Sequence, residues 1–228
     1  VRVAIHQPNF LPWLGFFHKA LHVDVFVLLD DIVFTNSPKY ENHALLRVPS
    51  GTCMLTLPLS HHCGCLFNEV TIVGVNTAKL LRTVRNAYAK APFFTHLWPH
   101  LEGLFLRREK NLVVLNTSLI EWVVSLLGGP KLVRSSALGC GSGEGGTQRI
   151  VRLCRILGAT TYLSGRGKGS ARYVQPEVFE TAGVKVEWQE FTHPTYKQLS
   201  DPFIPGLSIV DLLFNHGQNE GRSILMGG

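Results

Sequence analysis

No apolar run in the sequence approaches the ~18–20 residues that cross a bilayer; Val25–Leu29 and Leu112–Leu115 are among the longest. No basic stretch followed by an apolar core opens the chain, because Val1–His6 already has the pattern of a strand, so a leader peptide is not expected. The five cysteines have no regular spacing, which argues against a secreted disulfide framework. Charge is sparse, at 17% of residues, and no block of consecutive lysines or arginines marks a nucleic-acid tail. No internal repeat is visible. These absences point to a soluble protein, expected in the cytoplasm and away from membranes.

What the chain has is apolar mass: 45% of its 228 residues are hydrophobic, too many for disorder at this charge density. That length is one large domain or two small ones. We expect a single α/β domain over residues 1–228, with a helical segment around 77–128. Lysine and arginine exceed aspartate and glutamate by 22 to 16. The excess favours an anionic small molecule bearing a nucleotide or phosphate as partner; nucleic acid is possible but not favoured. Oligomeric state is left open.

Val1–Ile5 is a short apolar run, Leu11–Leu21 has helical spacing, and Val23–Leu29 is a buried-strand run ending in Asp30-Asp31. Together they form a βαβ unit, which implies parallel pairing. Thr52–Leu59 and Glu69–Val75 suggest strands, followed by helices near Thr77–Lys90, Phe94–Arg108 and Asn111–Leu127. Ser135–Thr147 is glycine-rich and expected to be a mobile loop; its stretch Gly141–Thr147 mimics P-loop spacing but lacks the lysine. The rhythm returns with helix Gln148–Leu157, strand Thr160–Leu163, helix Pro176–Ala182 and strand Val184–Phe191. Ser208–Asn215 is expected to be a helix stopped by Gly217, with Ser208 and Asp211 in a capping-box arrangement.

Ligands of parallel sheets gather at the carboxyl ends of the strands. Those ends nominate His6-Gln7-Pro8-Asn9, where an imidazole among prolines and aromatics can act as acid or base. They also nominate Asp30 and Asp31, which must face different ways and so play different roles; Asp30 is the preferred candidate. Ser164-Gly165-Arg166-Gly167-Lys168-Gly169-Ser170 follows the next strand, and its glycines and cations suit an anion. His193–Gln198 follows the last strand, and Asn215 and His216 end the final helix. The cluster His61-His62-Cys63-Gly64-Cys65 has no second ligand pair elsewhere, so no metal site is assigned and no structural zinc is expected.

Val3-Ala4-Ile5-His6-Gln7-Pro8-Asn9-Phe10-Leu11-Pro12-Trp13-Leu14-Gly15-Phe16-Phe17-His18-Lys19 closely resembles the signature of the WbqC-like family of bacterial proteins. Asp24–Asp31, Tyr88–Pro92, Gly158–Gly165, His193–Gln198 and Ser208–Gly217 are similar to its later blocks, in order. Two departures are Asn42-His43, where the family tends to have Asn-Arg, and a longer, more basic loop after Ser164-Gly165. The order of strands and helices implies a mostly parallel, Rossmann-like (nucleotidyltransferase-like) sheet with a helical insertion. Nucleotidyltransferases place a histidine pair at the first helix; this chain has Pro12 and Gly15 there, so that chemistry does not transfer.

The resemblance implies glycan or natural-product biosynthesis. The expected activity is transfer of an acyl or aminoacyl group to the amine of an amino-sugar nucleotide or related metabolite. His6, Asp30 and His193 are the candidate catalytic residues. The candidate substrate contacts are Gln7, Asn9, Trp13 and Lys19; Asp31; Ser164, Gly165, Arg166 and Lys168; and Tyr196, Gln198 and Asn215. The residues leave open which cofactor, if any, is used. The alternatives are a nucleotide-activating or nucleic-acid-base-modifying enzyme and a non-catalytic ligand-binding subunit.

Overall fold

The computed structural model describes residues 1–34, 40–140 and 146–227. β1 (Arg2–His6) passes through the loop 7–13 into α1 (Leu14–Leu21) and then β2 (Val25–Leu28). α1 buries Leu14, Phe16, Phe17 and Ala20; each large apolar side chain contributes roughly 1.5–3 kcal/mol. It begins three residues later than the apolar spacing suggested. Leu11 sits at φ +40° and Pro12 precedes the helix, so this turn lies outside helical geometry, and the Pro12 carbonyl accepts the Ile209 N–H at 2.9 Å.

β3 (His43–Val48) and β4 (Gly51–Thr56) make an antiparallel hairpin, and β5 (Leu59–Ser60) pairs with β6 (Thr71–Ile72). The expected strand Thr52–Leu59 is therefore split, and Glu69–Val75 keeps two strand residues. α2 (Thr77–Tyr88), α3 (Phe94–Leu106) and α4 (Leu112–Leu126) follow where periodicity placed them. Asn76 and Asn111 cap the first and last of these, accepting from Lys79 N and Val114 N.

β7 (Lys131–Arg134), unforeseen, leads into a 3₁₀ turn over Ser135–Leu138, so the first part of the expected mobile loop is ordered structure. Residues 141–145, and with them most of the P-loop-like stretch, lie outside the described residues. α5 (Gly146–Ile156), β8 (Thr161–Ser164), α6 (Lys168–Ala171), α7 (Pro176–Thr181), β9 (Lys185–Trp188) and α8 (Ile209–Met226) complete the order. Gly217 does not end α8 but kinks it, at φ 70° and ψ −173°. A Cβ there would lie 2.7 Å from the Phe93 ring, so only glycine allows that close approach.

The five long-range strands form one parallel sheet in the order β7-β2-β1-β8-β9. In sequence order this is third, second, first, fourth, fifth, the doubly wound Rossmann-like arrangement. Ala4, Phe26, Leu28 and Leu163 belong to the core cluster shared with α1–α4 and α8, whereas Val3, Ile5, Val27 and Tyr162 pack with α5 and α7. This alternation along each strand divides the two layers. No helix among the described residues is long and apolar enough to cross a membrane.

Candidate functional site

In a doubly wound sheet the strand order reverses at one point, and neighbouring loops there diverge to leave a crevice. Here the reversal lies between β1 and β8. Their pairing ends at Arg2↔Thr161 and Val3↔Tyr162, while β1 stays paired to β2 as far as His6↔Leu28 and β8 to β9 as far as Ser164↔Trp188. Past Val3 the two central strands part.

His6 ends β1 at this opening. Its ring meets Phe16 edge-on at 4.9 Å, and Nδ1 lies 3.0 Å from the Gln7 carbonyl. A carbonyl only accepts, so Nδ1 carries the proton and Nε2 is left as the basic nitrogen of the neutral ring. Burial, then the nearby Lys19 ammonium, hold the imidazole down to about 3. Lys19 is 3% exposed, lies 5.8 Å above the Phe26 ring and reaches the Ile5 carbonyl at 3.4 Å. Burial, with no carboxylate among the described residues to offset it, brings its amine down to about 7. Two titratable groups thus stand at the centre of the sheet, each near its own neutral form.

The loop 7–13 is held from several sides. Asn116 of α4 donates to the carbonyls of Pro8 and Glu41, both at 2.8 Å, and its buried Oδ1 has no partner among the described residues. Asn9 is buried in the same loop. Trp13 is part-exposed and meets Phe191 edge-on at 5.4 Å. A Cβ on Gly15 would lie 2.4 Å from the Trp13 indole, which explains the glycine.

The carboxyl end of β2 is built differently. The Asp30 carboxylate accepts from Arg134 Nε at 2.7 Å, Ser136 N at 2.9 Å and the Ser136 hydroxyl at 2.7 Å. Burial pushes this carboxyl up, but the Ser136 donors and the Arg134 guanidinium outweigh it and hold it below the usual value. Asp31 instead pairs with buried Arg149 of α5. The Ser135 hydroxyl stands within reach of both carboxylates. The two aspartates do face different partners, and the chain's own donors surround both.

At the end of β8, Ser164 is fully buried and its carbonyl accepts Gln189 N at 2.7 Å. Gly165 leaves room for the Ser170 hydroxyl, 3.4 Å from where a Cβ would be. Arg166 is exposed and paired with Glu190 at 3.0 Å, and Lys168 stands exposed at the start of α6. His6, Gln7, Asp30, Asp31, Ser164 and Gly165 therefore share one edge of the sheet.

Tyr196, Gln198 and Asn215 converge elsewhere, on Asp211. Its carboxylate accepts from the Tyr196 hydroxyl at 2.8 Å and Gln198 Nε2 at 3.1 Å, and Asn215 Nδ2 donates to its backbone carbonyl at 2.7 Å. Ser208 does cap α8, its hydroxyl accepting from Val210 N at 3.5 Å, but the capping box is corrected: the Ser208 N–H goes to Leu45, and Asp211 turns into the core. Burial raises its carboxyl despite these donors. His193 stacks 6.4 Å from Tyr196, with Nδ1 against the Pro194 carbonyl and Nε2 accepting from Gly206 N. Both its nitrogens are engaged in holding the loop 193–206. This network touches the first loop through the Trp13–Ser208 bridge.

A scan of family models matches the WbqC-like protein family over residues 7–223. The chain belongs to the WbqC-like protein family. A curated relative from Mycobacterium tuberculosis (strain ATCC 25618 / H37Rv), "Uncharacterized protein Rv1507c", is 32% identical over 225 residues, 95% of this chain and 94% of that protein. The family match begins one residue after His6 and takes in Lys19, the aspartate cluster and the Asp211 network. Where the family tends to have Asn-Arg, Asn42 donates to the Leu57 carbonyl at 2.8 Å and His43 meets the Thr56 hydroxyl at 2.8 Å, both inside the hairpin region.

Sequence reasoning missed Arg134, Ser135, Ser136 and Arg149, which hold the two aspartates. It also missed Asn116, and Arg47, whose guanidinium donates to the carbonyls of Gly51 and Ser200. Their partners lie far away in the chain, so no local pattern announces them. The signal that was available is the pair of buried acids itself, which demands nearby cations.

Proposed function

We propose that the chain is a group-transfer enzyme that joins an acyl or aminoacyl group to the amine of an amino-sugar nucleotide or related metabolite. Reaction takes place at the opening between β1 and β8. The observation that carries this reading is the pairing of neutral His6 with an uncompensated, buried Lys19 where the central strands part. The substrate amine attacks the carbonyl carbon of the activated acyl group, a C–N bond forms and the leaving group departs with its electron pair. His6 Nε2 takes the proton from the nitrogen, and Lys19, whose protonated form is still populated near pH 7, donates an N–H to the oxyanion. A general base matched to the working pH contributes roughly 10²–10⁴-fold, and a ring held down to about 3 belongs at the low end of that range.

In this reading Asp30 and Asp31 act through Arg134 and Arg149, which they hold in place beside the carboxyl edge. The Ser164–Ser170 loop binds substrate phosphates through Arg166 and Lys168. His193, Tyr196, Gln198 and Asn215 brace the wall behind Trp13, with Gln7 and Asn9 at the mouth. Acylated product, sought by mass spectrometry after incubation with amino-sugar nucleotides and acyl-CoA or ATP plus amino acids, tests the proposal. Amide formation should fall at least about 100-fold in His6→Ala with the melting temperature preserved. A folded wild type that yields no amide with any donor–acceptor pair overturns the reading.

A further inference from the structure

The sheet face that carries α1 is only partly covered. α1 lies over β1 and β2, and its outer side presents His18 and His22 toward β8 and β9. After β9 the chain does not return as a helix over that strand. It crosses α1 instead, with Phe191 packed on Trp13 and His18, and Gln189 Nε2 donating to the Gly15 carbonyl at 2.8 Å. α8 then packs on α1 and α3. Leu163 and Glu187, register partners on β8 and β9, are left facing a groove of about 470 Å³. That volume is within the ~300–1,000 Å³ typical of small-molecule sites.

The groove's apolar lining is Trp188, 38% exposed, with the buried Leu163 beneath, and its other groups are polar. Gln189 Nε2 also donates to His18 Nδ1 at 3.1 Å, which fixes the proton of the neutral His18 ring on Nε2 as a donor. His22 Nδ1 donates to the His18 carbonyl at 2.7 Å, leaving its Nε2 as the open nitrogen. Ion pairs lie along the groove: part-exposed Glu187 holds Arg2 at 2.7 Å and Lys185 at 2.9 Å, and exposed Arg166 pairs with Glu190 at 3.0 Å. Solvent-exposed pairs of this kind are held weakly and exchange readily for a ligand.

From this arrangement we infer that the groove holds a pyranose ring, the sugar of a phosphorylated or nucleotide-linked hexosamine. Carboxylates, an amide oxygen and imidazole nitrogens around an apolar patch match a ring with hydroxyls at its edge and C–H groups on its face. Glu187 and Glu190 accept from vicinal hydroxyls or an ammonium. Arg166 joins the groove to the phosphate-binding loop, so ring and phosphate are read side by side. The inference rests on the transfer reading above only in taking the sugar as the acceptor.

Saturation-transfer NMR with glucosamine, UDP-N-acetylglucosamine and UMP tests it. Wild type should transfer saturation to the ring protons of both sugars. Glu187→Ala and the groove-filling His22→Trp should weaken UDP-N-acetylglucosamine at least tenfold with melting curves unchanged, and His6→Ala should still bind it. Ring protons left unsaturated, saturation of UMP alone, or equal affinity in the groove variants overturns the inference. Sugar binding without amide formation by wild type would sink the transfer reading and keep the groove. Amide formation with an unaltered KM in the groove variants would do the reverse.

Discussion

The carboxyl ends of β1 and β2 lie side by side in one sheet and are furnished in opposite ways. At β2, Asp30 is fully buried, and its carboxylate takes donors from Arg134, Ser135 and Ser136. At β1, His6 gives up one ring hydrogen to a neighbouring carbonyl, and Lys19 reaches a single carbonyl at 3.4 Å. A buried ion surrounded by donors keeps its charge, whereas a buried ion without a partner moves toward its neutral form. The pKa directions follow that rule: Asp30 is held below the ordinary carboxylate value, and His6 and Lys19 are driven down to about 3 and about 7. The first arrangement fixes the fold, and the second leaves groups ready to exchange protons.

Removing Asp30 should have the largest effect on stability. Asp30→Ala strands the Ser135 and Ser136 donors and the Arg134 guanidinium, and a loss of about 3 kcal/mol is expected. In thermal melts that is roughly 10 °C for a chain of this size. The sign with pH follows from the lowered folded value: the contribution is complete above the unfolded carboxyl value of ~4 and fades as pH falls through the folded one. The gap between wild type and variant should therefore close only in acid. His6→Ala, by contrast, should cost less than about 1 kcal/mol; the reverse order would break the comparison.

Lys19 predicts an effect of opposite sign. Its folded amine near 7 lies well below the ordinary lysine value of 10.5, so between those values the unfolded chain binds more protons and stability rises with pH. Below pH 7 the cost of burying the ammonium is fully present. Lys19→Met should therefore stabilise the protein by about 2 kcal/mol at pH 6, with the gain shrinking toward pH 10, as read from urea titrations at both values. No gain at pH 6 would mean that the ammonium has a counter-ion.

His6 acts in a lower window. Its ring is near 3 folded against 6.5 unfolded, so the stability it permits is complete above pH 6.5 and is lost as pH falls toward 3, by at most about 1.4 kcal/mol per pH unit. His18, lowered to about 4 by burial and then by His22, titrates in the same range. His6→Gln should flatten the acid slope in part, and the double variant with His18→Gln should flatten it further. An unchanged slope in the double variant would place the acid sensitivity elsewhere.

How much of this was legible in the sequence depended on locality. β1, β2, β8 and the helices from Thr77 to Leu126 carry their pattern in consecutive residues, so periodicity finds them. β3 was missed because His43-Ala-Leu-Leu-Arg-Val is built largely of helix formers that strand pairing overrides, and β7 because four half-exposed residues give no period. The candidate residues at strand ends were legible for the same reason, since a strand's end marks the ligand edge. Their partners were not: Arg134 and Arg149 lie 104 and 118 residues from the aspartates they hold. Asp211 was misassigned because Ser208-x-x-Asp satisfies a local capping pattern, while Tyr196 and Gln198, which donate to it, meet it only in three dimensions.

Arg166 sharpens the comparison from the side of least stability. Its guanidinium is 62% exposed and its partner Glu190 is more exposed still, so the pair contributes little to folding. Arg166→Ala should change folding stability by no more than ~0.5 kcal/mol, read from melting curves. Loss of one charge-assisted contact to a phosphate is on the order of 1.5–3 kcal/mol, which is at least tenfold in affinity. Calorimetric titration of UDP-N-acetylglucosamine should show that loss, and Arg166→Lys should recover only part of it, because an ammonium cannot bind phosphate in the bidentate manner of a guanidinium. Full recovery with lysine would reduce the loop's role to charge alone, and unchanged affinity in Arg166→Ala would remove the phosphate from the loop altogether. Arg134, which is also part-exposed at this edge but tied to Asp30, supplies the control. Arg134→Ala should lower stability and affinity together, where Arg166→Ala separates them.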